Sequence, residues 1–439
     1  MSQQIDKLVE KKVKAIQNGE NIYEIGHVIK ANDYVVEVDG LSGVGFFEKV
    51  RIGDKAEGYV SNIRRNSVGV ALVKTNGEVY VGDTVTGTQE EFTGRFCEES
   101  IGHIVDMFGK DLMSEEYFDE LVELPIETKP IPIMDRTAVN RPFLTGITGI
   151  DMIYPIGRGQ RQLILGDKKT GKTQLCLDAI VNQKGQKVVC IYVAVGKTKK
   201  EVKEIYTELL RRGAMEYTLI LAAFNDECPP VLRNTPFVGM AIAEYLMLKH
   251  AIDVCVVIDD LKKHADVYRE IALLTGKVPG RDAYPSDIFY VHANLLERGC
   301  QHKNGGSVTV LPIVETKGGD ITEYIASNVI SITDGQIVLS QKNFEKGFKP
   351  AIDYGLSVSR LGGAVQTHTM RKMGATVRRE LLSYLESCEI YELANMDEMS
   401  PELRKRMENG KKLRNSLKQY KFSPLTQQEM LGLFDGLLD

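Results

Sequence analysis

Residues 162–173 read QLILGDKKTGKT, and this stretch decides the fold. An apolar run, Leu163-Ile164-Leu165, ends in Gly166. The spacing G-x-x-x-x-G-K-[ST] then runs from Gly166 to Thr173, and Leu175, Ala179 and Ile180 follow at helical intervals. Strand, loop and helix in that order let the backbone N–H groups of the loop turn inward on a phosphate. The candidate phosphate-binding residues are Gly166, Asp167, Lys168, Lys169, Thr170, Gly171, Lys172, Thr173 and Gln174. Lys172 supplies a point charge for the β- and γ-phosphates, and the Thr173 hydroxyl can ligate Mg²⁺. The bare pattern also arises by chance as a glycine-rich turn; the strand before it and the helix after it are the context the chemistry requires.

Outward from the loop, residues 89–366 alternate apolar runs with amphipathic ones. KVVCIYVAV, EYTLILAAF, DVCVVIDD, DIFYVHA, SVTVLPIVE and NVISITD read as strands, rich in β-branched residues and almost continuously apolar. That composition predicts a parallel sheet covered on both faces, with ligands bound at the carboxyl ends of its strands. DVCVVIDD ends in Asp259 and Asp260. A carboxylate at the tip of a buried strand beside a phosphate loop can hold a water ligand of Mg²⁺, so Asp259 is the metal-side candidate and Asp260 a structural one. Hydrolysis also needs a group that orients or deprotonates water, usually a carboxylate at a strand end. KVVCIYVAV delivers Gly196 and then Lys197, which cannot act as a base while protonated.

On the N-terminal side, Ile5, Leu8, Val9, Val13 and Ile16 predict an amphipathic helical arm over 1–21. Residues 22–88 carry six short β-like runs, IGHVIKA, YVVEVDG, FFEKV, AEGYVSNI, SVGVALVK and EVYVGDTV. Closing them into a small barrel removes their exposed edges. From 367 to 439 the pattern is helical, through Leu381, Leu382, Tyr384 and Leu385, then a breaker at Pro401 and a basic run from Arg404 to Lys421. Such a run is more often a solvated helix face than a nucleic-acid contact. The expected architecture is therefore multidomain: an N-terminal β-barrel, a central α/β phosphate-loop domain and a C-terminal α-helical domain.

A net charge of −5 over 439 residues argues against a nucleic-acid-binding surface spread over the whole molecule. Seven scattered cysteines without a C-x-x-C pair read as reduced core residues of a cytoplasmic protein. No apolar run approaches the length of a membrane span, so contact with a membrane is expected only through partners.

Longer motifs extend the loop reading. TGITGIDMIYPIGRGQRQLILGDKKTGKTQ, IDDLKKHADVYRE, GRDAYPSDIFYVHANLLERG, ETKGGDITEYIASNVISITDGQI and PAIDYGLSVSR resemble the α subunits of F-type ATP synthases, in order and over nearly the whole chain. The resemblance implies a RecA-like central domain in a subunit that alternates with catalytic β subunits in a hexameric ring around a central stalk. It also implies a site that binds Mg-ATP or Mg-ADP without turnover, with Asp259 holding the metal through water. The complex would sit at the inner face of the cell membrane.

Carried onto this chain, the resemblance makes Arg360, at the end of GLSVSR, the residue that acts in trans on a neighbour's γ-phosphate. Catalytic β subunits resemble G-E-R after the strand that here ends in Lys197, and α subunits usually have glutamine there; lysine is neither. Lys168 and Lys169 replace the usual Arg-Gln pair, and Lys349 stands where an arginine near the adenine pocket is common. KQYKFSP keeps Gln419 of an adenine-contacting pattern, but Lys421 replaces its second glutamine. Three other readings stay open: an α-like subunit of a related motor not used for ATP synthesis, a ring component with a vestigial nucleotide site, and a self-sufficient homohexameric motor of the secretion or Rho type.

Overall fold

The computed structural model describes residues 24–390 and 401–434. The arm expected over 1–21 lies outside these residues, as do 391–400 and 435–439 of the C-terminal region. The chain divides into two compact units.

The first unit holds six antiparallel strands: β1 (Ile25–Asn32), β2 (Val35–Asp39), β3 (Glu48–Ile52), β4 (Ala56–Ile63), β5 (Val68–Thr75) and β6 (Thr84–Glu91). They close in the order β1-β2-β5-β4-β3-β6, with β6 pairing back onto β1. Inward residues alternate along the strands, so Val28, Val36, Val38, Val50, Ile52, Val60, Val70, Leu72 and Val85 fill the interior. Gly26 is required where β1 meets β2, since a Cβ there would stand 2.4 Å from the Asp39 carbonyl oxygen. The sixth strand begins later than EVYVGDTV suggested. Asp83 accepts a bond from the Tyr80 N–H at 2.8 Å and pairs with Lys55 at 2.7 Å, fixing a turn before Thr84. Phe47 stacks inward on Tyr59, with ring centroids 4.8 Å apart, whereas Phe46 is exposed.

The second unit is built on β7 (Ile104–Val105), β8 (Leu163–Asp167), β9 (Val188–Lys197), β10 (Thr218–Phe224), β11 (Asp253–Asp259), β12 (Ser307–Thr316), β13 (Gly335–Leu339) and β14 (Val358–Ser359). Their order is β14-β13-β8-β12-β11-β9-β10-β7. Every neighbouring pair from β13 to β7 is parallel, and β14 runs antiparallel at one edge. Consequently the carboxyl ends of β8, β12, β11 and β9 lie side by side, which brings Asp167, Thr316, Asp259 and Lys197 to one edge of the sheet.

Two runs read as strands are helices. DIFYVHA opens the helix Ile288–Leu296, which buries Ile288, His292, Leu295 and Leu296 at i, i+4, i+7 and i+8. NVISITD falls largely in the helix Tyr324–Ile332, which buries Ile325, Ala326, Val329 and Ile332. Short β-branched runs are ambiguous between the two states, and here the helical period decides which face meets the sheet.

The C-terminal helices His368–Ile390 and Pro401–Ser416 join the core of the second unit through Val377, Leu381, Tyr384 and Leu413, with Leu417 following directly after the second helix. Gly410 allows their close approach: a Cβ there would lie 2.2 Å from the Tyr384 ring. Lys405, Arg406, Lys411 and Lys412 are exposed, a solvated face of the second helix. Among the described residues no helix is long and apolar enough to cross a membrane.

Candidate functional site

Backbone geometry shapes the loop first. Lys169 and Gly171 adopt left-handed conformations, φ 65° and 101°, and nothing lies within 4 Å of where a Gly171 Cβ would stand. Thr170 turns inward and donates to the Asp167 carbonyl at 2.8 Å, while Lys168 and Lys169 stay exposed at the tip. Gly171 then starts the helix Lys172–Val181, whose Leu175, Cys176, Ala179 and Ile180 are buried. The first N–H groups of that helix have no partner one turn back and face the loop's concavity, an anion site by construction. Lys172 donates to the Gly166 and Asp167 carbonyls at 2.8 and 2.7 Å. Burial pulls its pKa down, opposed by the charges of Glu315, Asp260, Asp259 and Asp167. An incoming anion would favour the ammonium further. The loop thus fits a polyphosphate.

Asp259 ends β11, is 2% exposed, and gathers three donors on one oxygen. Its Oδ2 accepts from the Thr173 hydroxyl at 2.6 Å and the Tyr192 hydroxyl at 2.6 Å, and pairs with Lys197 Nζ at 3.0 Å. Burial works against the Lys197 charge, but Asp259, with Asp260 and Glu201, outweighs it and raises the pKa above its ordinary value. Lys197 is therefore an ammonium. Asp260 is pushed up to about 6, by burial and then by the charge of Asp259. Its Oδ1 accepts the Lys263 N–H at 2.6 Å, so it caps the helix Leu261–Leu274.

Mg²⁺ needs oxygen ligands at about 2.0–2.1 Å and usually keeps several waters. A nitrogen 3.0 Å from Asp259 Oδ2 leaves no room between the two for an ion or its water. Thr173 and Asp259 stand together as a metal side would require, but the donor set around Asp259 does not fit the ion in this arrangement.

A cleft of about 970 Å³ runs from this edge to a second group of residues, Phe344, Lys349, Lys418, Gln419, Tyr420 and Lys421. Lys349 Nζ lies 4.5 Å from the centre of the Phe344 ring. Gln419 is engaged structurally: its amide nitrogen donates to the Gly146 and Ser423 carbonyls at 2.6 and 2.7 Å, and its oxygen accepts from Thr148 N–H at 3.1 Å. Lys421 is exposed at the cleft wall. Gln174 donates to Asp178 at 2.8 Å, and the same carboxylate oxygen accepts the Phe422 N–H at 2.8 Å.

Arg360 lies elsewhere. It follows edge strand β14, is exposed, and does not line the cleft. Its N–H donates to the Asp334 carbonyl at 2.9 Å, and Arg161 holds the Asp334 carboxylate at 2.7 Å. Its backbone is thus fixed, while the guanidinium makes a long bond of 3.4 Å to the Ile330 carbonyl.

Sequence reasoning missed Tyr192, Asp178, Glu201 and Glu315. Tyr192 is detectable as the one hydroxyl in the otherwise apolar run Val188–Val195. Glu201 carried a signal too: it closes a capping box with Thr198, accepting from its N–H and hydroxyl at 2.9 and 2.8 Å.

Residues 146–359 match the model of the ATP synthase alpha/beta family, nucleotide-binding domain. An ATP synthase subunit alpha of Helicobacter pylori strain G27 is 40% identical over 439 aligned residues, covering 99% of this chain and 86% of that protein. Another, from Mesomycoplasma hyopneumoniae strain 7448, is 41% identical over 414 residues, 94% of this chain and 81% of its own length. With barrel, parallel nucleotide domain and C-terminal helices in the same chain, it belongs to the ATP synthase α-subunit family.

Proposed function

We propose that this chain binds ATP at its own cleft without hydrolysing it, in a hexamer with β-type catalytic subunits around a central stalk, and that Arg360 completes the neighbouring β site. The observation that carries the reading is Lys197. Attack on the γ-phosphate needs a group that orients or accepts a proton from water, and the end of β9 offers an ammonium instead of a carboxylate. The nearby Glu201 does not substitute for it. Its bonds from the Thr198 N–H and hydroxyl lower its pKa, so it makes a weak base. This also weighs against a self-sufficient homohexameric motor.

The triphosphate is bound by residues 166–174, with Lys172 as the principal charge. Thr173 and Asp259 are the residues that would face Mg²⁺, in Mg-ATP or Mg-ADP, and Lys197 stands in the way of that ion. The base lies toward Phe344, Lys349 and Lys421, with Gln419 holding the wall rather than reaching the ring. Arg360 is suited to act outside its own cleft, because it is exposed just after edge strand β14 with its backbone pinned. Its guanidinium would stabilise charge developing on the partner's γ-phosphate, an effect of roughly 10³–10⁵ in turnover for such arginines. Membrane association would come only through other subunits.

Steady-state ATP turnover tests this, with the chain alone and after assembly with the β-type subunit from the same source. Negligible activity alone, appearing on assembly and falling about 10³-fold or more with Arg360→Ala, is expected. Robust turnover by the isolated chain would overturn the reading.

A further inference from the structure

The turn at the end of β9 aims Lys197 at Asp259. In β9, Tyr192 and Ala194 face the core that contains Cys176 and Val257, and Ala194 sits beside Asp259 in register. Strict alternation would send residue 197 to the opposite face. Instead the pairing with β10 slips between Val195 and Lys197: Val195 pairs with Ala223, and Lys197 with Phe224. The extra residue, Gly196, has φ 65°, a left-handed conformation. It forms a bulge that returns Lys197 to the face of Ala194. A built backbone feature thus sets the ammonium on the carboxylate oxygen that also takes the Thr173 hydroxyl.

Resting on the nucleotide-binding reading above, we propose that Lys197 is a resident cation that replaces the divalent metal at this site, so that the chain binds ATP with little dependence on Mg²⁺. A triphosphate carries several negative charges that must be met where it binds. Lys172 meets them from within the loop, and Lys197 meets them beside Thr173, where the ion would otherwise sit. A divalent ion brought next to that ammonium would face like-charge repulsion and would find Asp259 Oδ2 already supplied with three donors. Lysine is suited to the role as a compact, flexible point charge that binds phosphate without needing a fixed geometry.

Equilibrium binding of ATP to the full chain, in Mg²⁺ and in excess EDTA, tests the proposal, with Lys197→Gln in parallel. The wild-type Kd is expected to change by less than about threefold on metal removal, whereas Lys197→Gln weakens by about tenfold or more. Electron paramagnetic resonance with Mn²⁺ reads the ion directly: ATP on the wild type should hold no stoichiometric Mn²⁺, and ATP on the variant should hold one.

Wild-type binding that collapses in EDTA, or one Mn²⁺ bound per wild-type ATP, overturns the replacement while leaving nucleotide binding intact. No ATP binding by the wild type in either buffer overturns the nucleotide-binding reading and this inference with it. If the variant fails to fold, the two wild-type measurements decide alone.

Discussion

The two ends of the cleft are built in opposite ways. At the end proposed for phosphate, nine consecutive residues and the tips of adjacent parallel strands come together, and local backbone conformation at Lys169 and Gly171 sets the shape of the loop. At the base end, segments near 146–148, 344–351 and 418–424 meet only through tertiary contacts, with Gln419 reaching Thr148 and Gly146 across 271 and 273 residues. On the proposed reading, the first would meet a charge common to all polyphosphates. The second would carry whatever distinguishes one base from another, through side chains that hold a wall in place.

Substitutions should therefore separate the ends. Lys172→Ala removes the buried charge of the loop, whose ammonium has a third N–H beyond those given to the Gly166 and Asp167 carbonyls to offer an incoming phosphate. Affinity should fall by about 10²-fold or more, equally for ATP and for inorganic tripolyphosphate, as read by calorimetric titration of both. A loss confined to ATP would break the contrast. Gln419→Ala is expected to be milder and selective. Freeing the Gly146 and Ser423 carbonyls and the Thr148 N–H loosens the wall, so ATP should weaken by about tenfold or less while tripolyphosphate stays within about twofold. Equal weakening of both ligands would mean that Gln419 supports the phosphate loop instead.

The same contrast explains what could be read from the chain before its fold was known. Gly166 to Thr173 is legible because spacing, strand and helix are all local, and Asp259 because an acid at the tip of an apolar strand is costly without a purpose. The barrel's strands are visible through their alternation, apart from the last, where the side chain of Asp83 sets the turn. The helices Ile288–Leu296 and Tyr324–Ile332 were hidden by β-branched composition, since their helical burial period shows only against the sheet. The bonds from Gln419 to Thr148 and Gly146 are not legible in the sequence, because those two partners lie more than 270 residues away. The charge of Lys197 was visible, but its direction was not, because the bulge at Gly196 reverses the face that alternation assigns.

Asp178 joins the two ends and offers the subtlest test. It lies on the phosphate-loop helix, and its Oδ1 accepts both Gln174 at 2.8 Å and the Phe422 N–H at 2.8 Å. Burial raises its pKa above the ordinary 3.8, against the opposing bonds from Phe422 and Gln174 and the charges of Arg212 and Lys421. A raised folded pKa means that the native state holds the proton more tightly than the unfolded chain. Its contribution to stability is therefore largest in acid and is lost as pH rises through the interval from 3.8 to the raised value. Asp178→Asn keeps an oxygen acceptor but cannot titrate, so it lacks that loss. Relative to wild type, the variant should gain stability as pH rises above 3.8, in paired denaturation midpoints. A constant offset across that range would show that the carboxylate is compensated equally in both states. It would also mean that the link from the loop helix to Phe422 is held by the shape of the acceptor rather than by its charge.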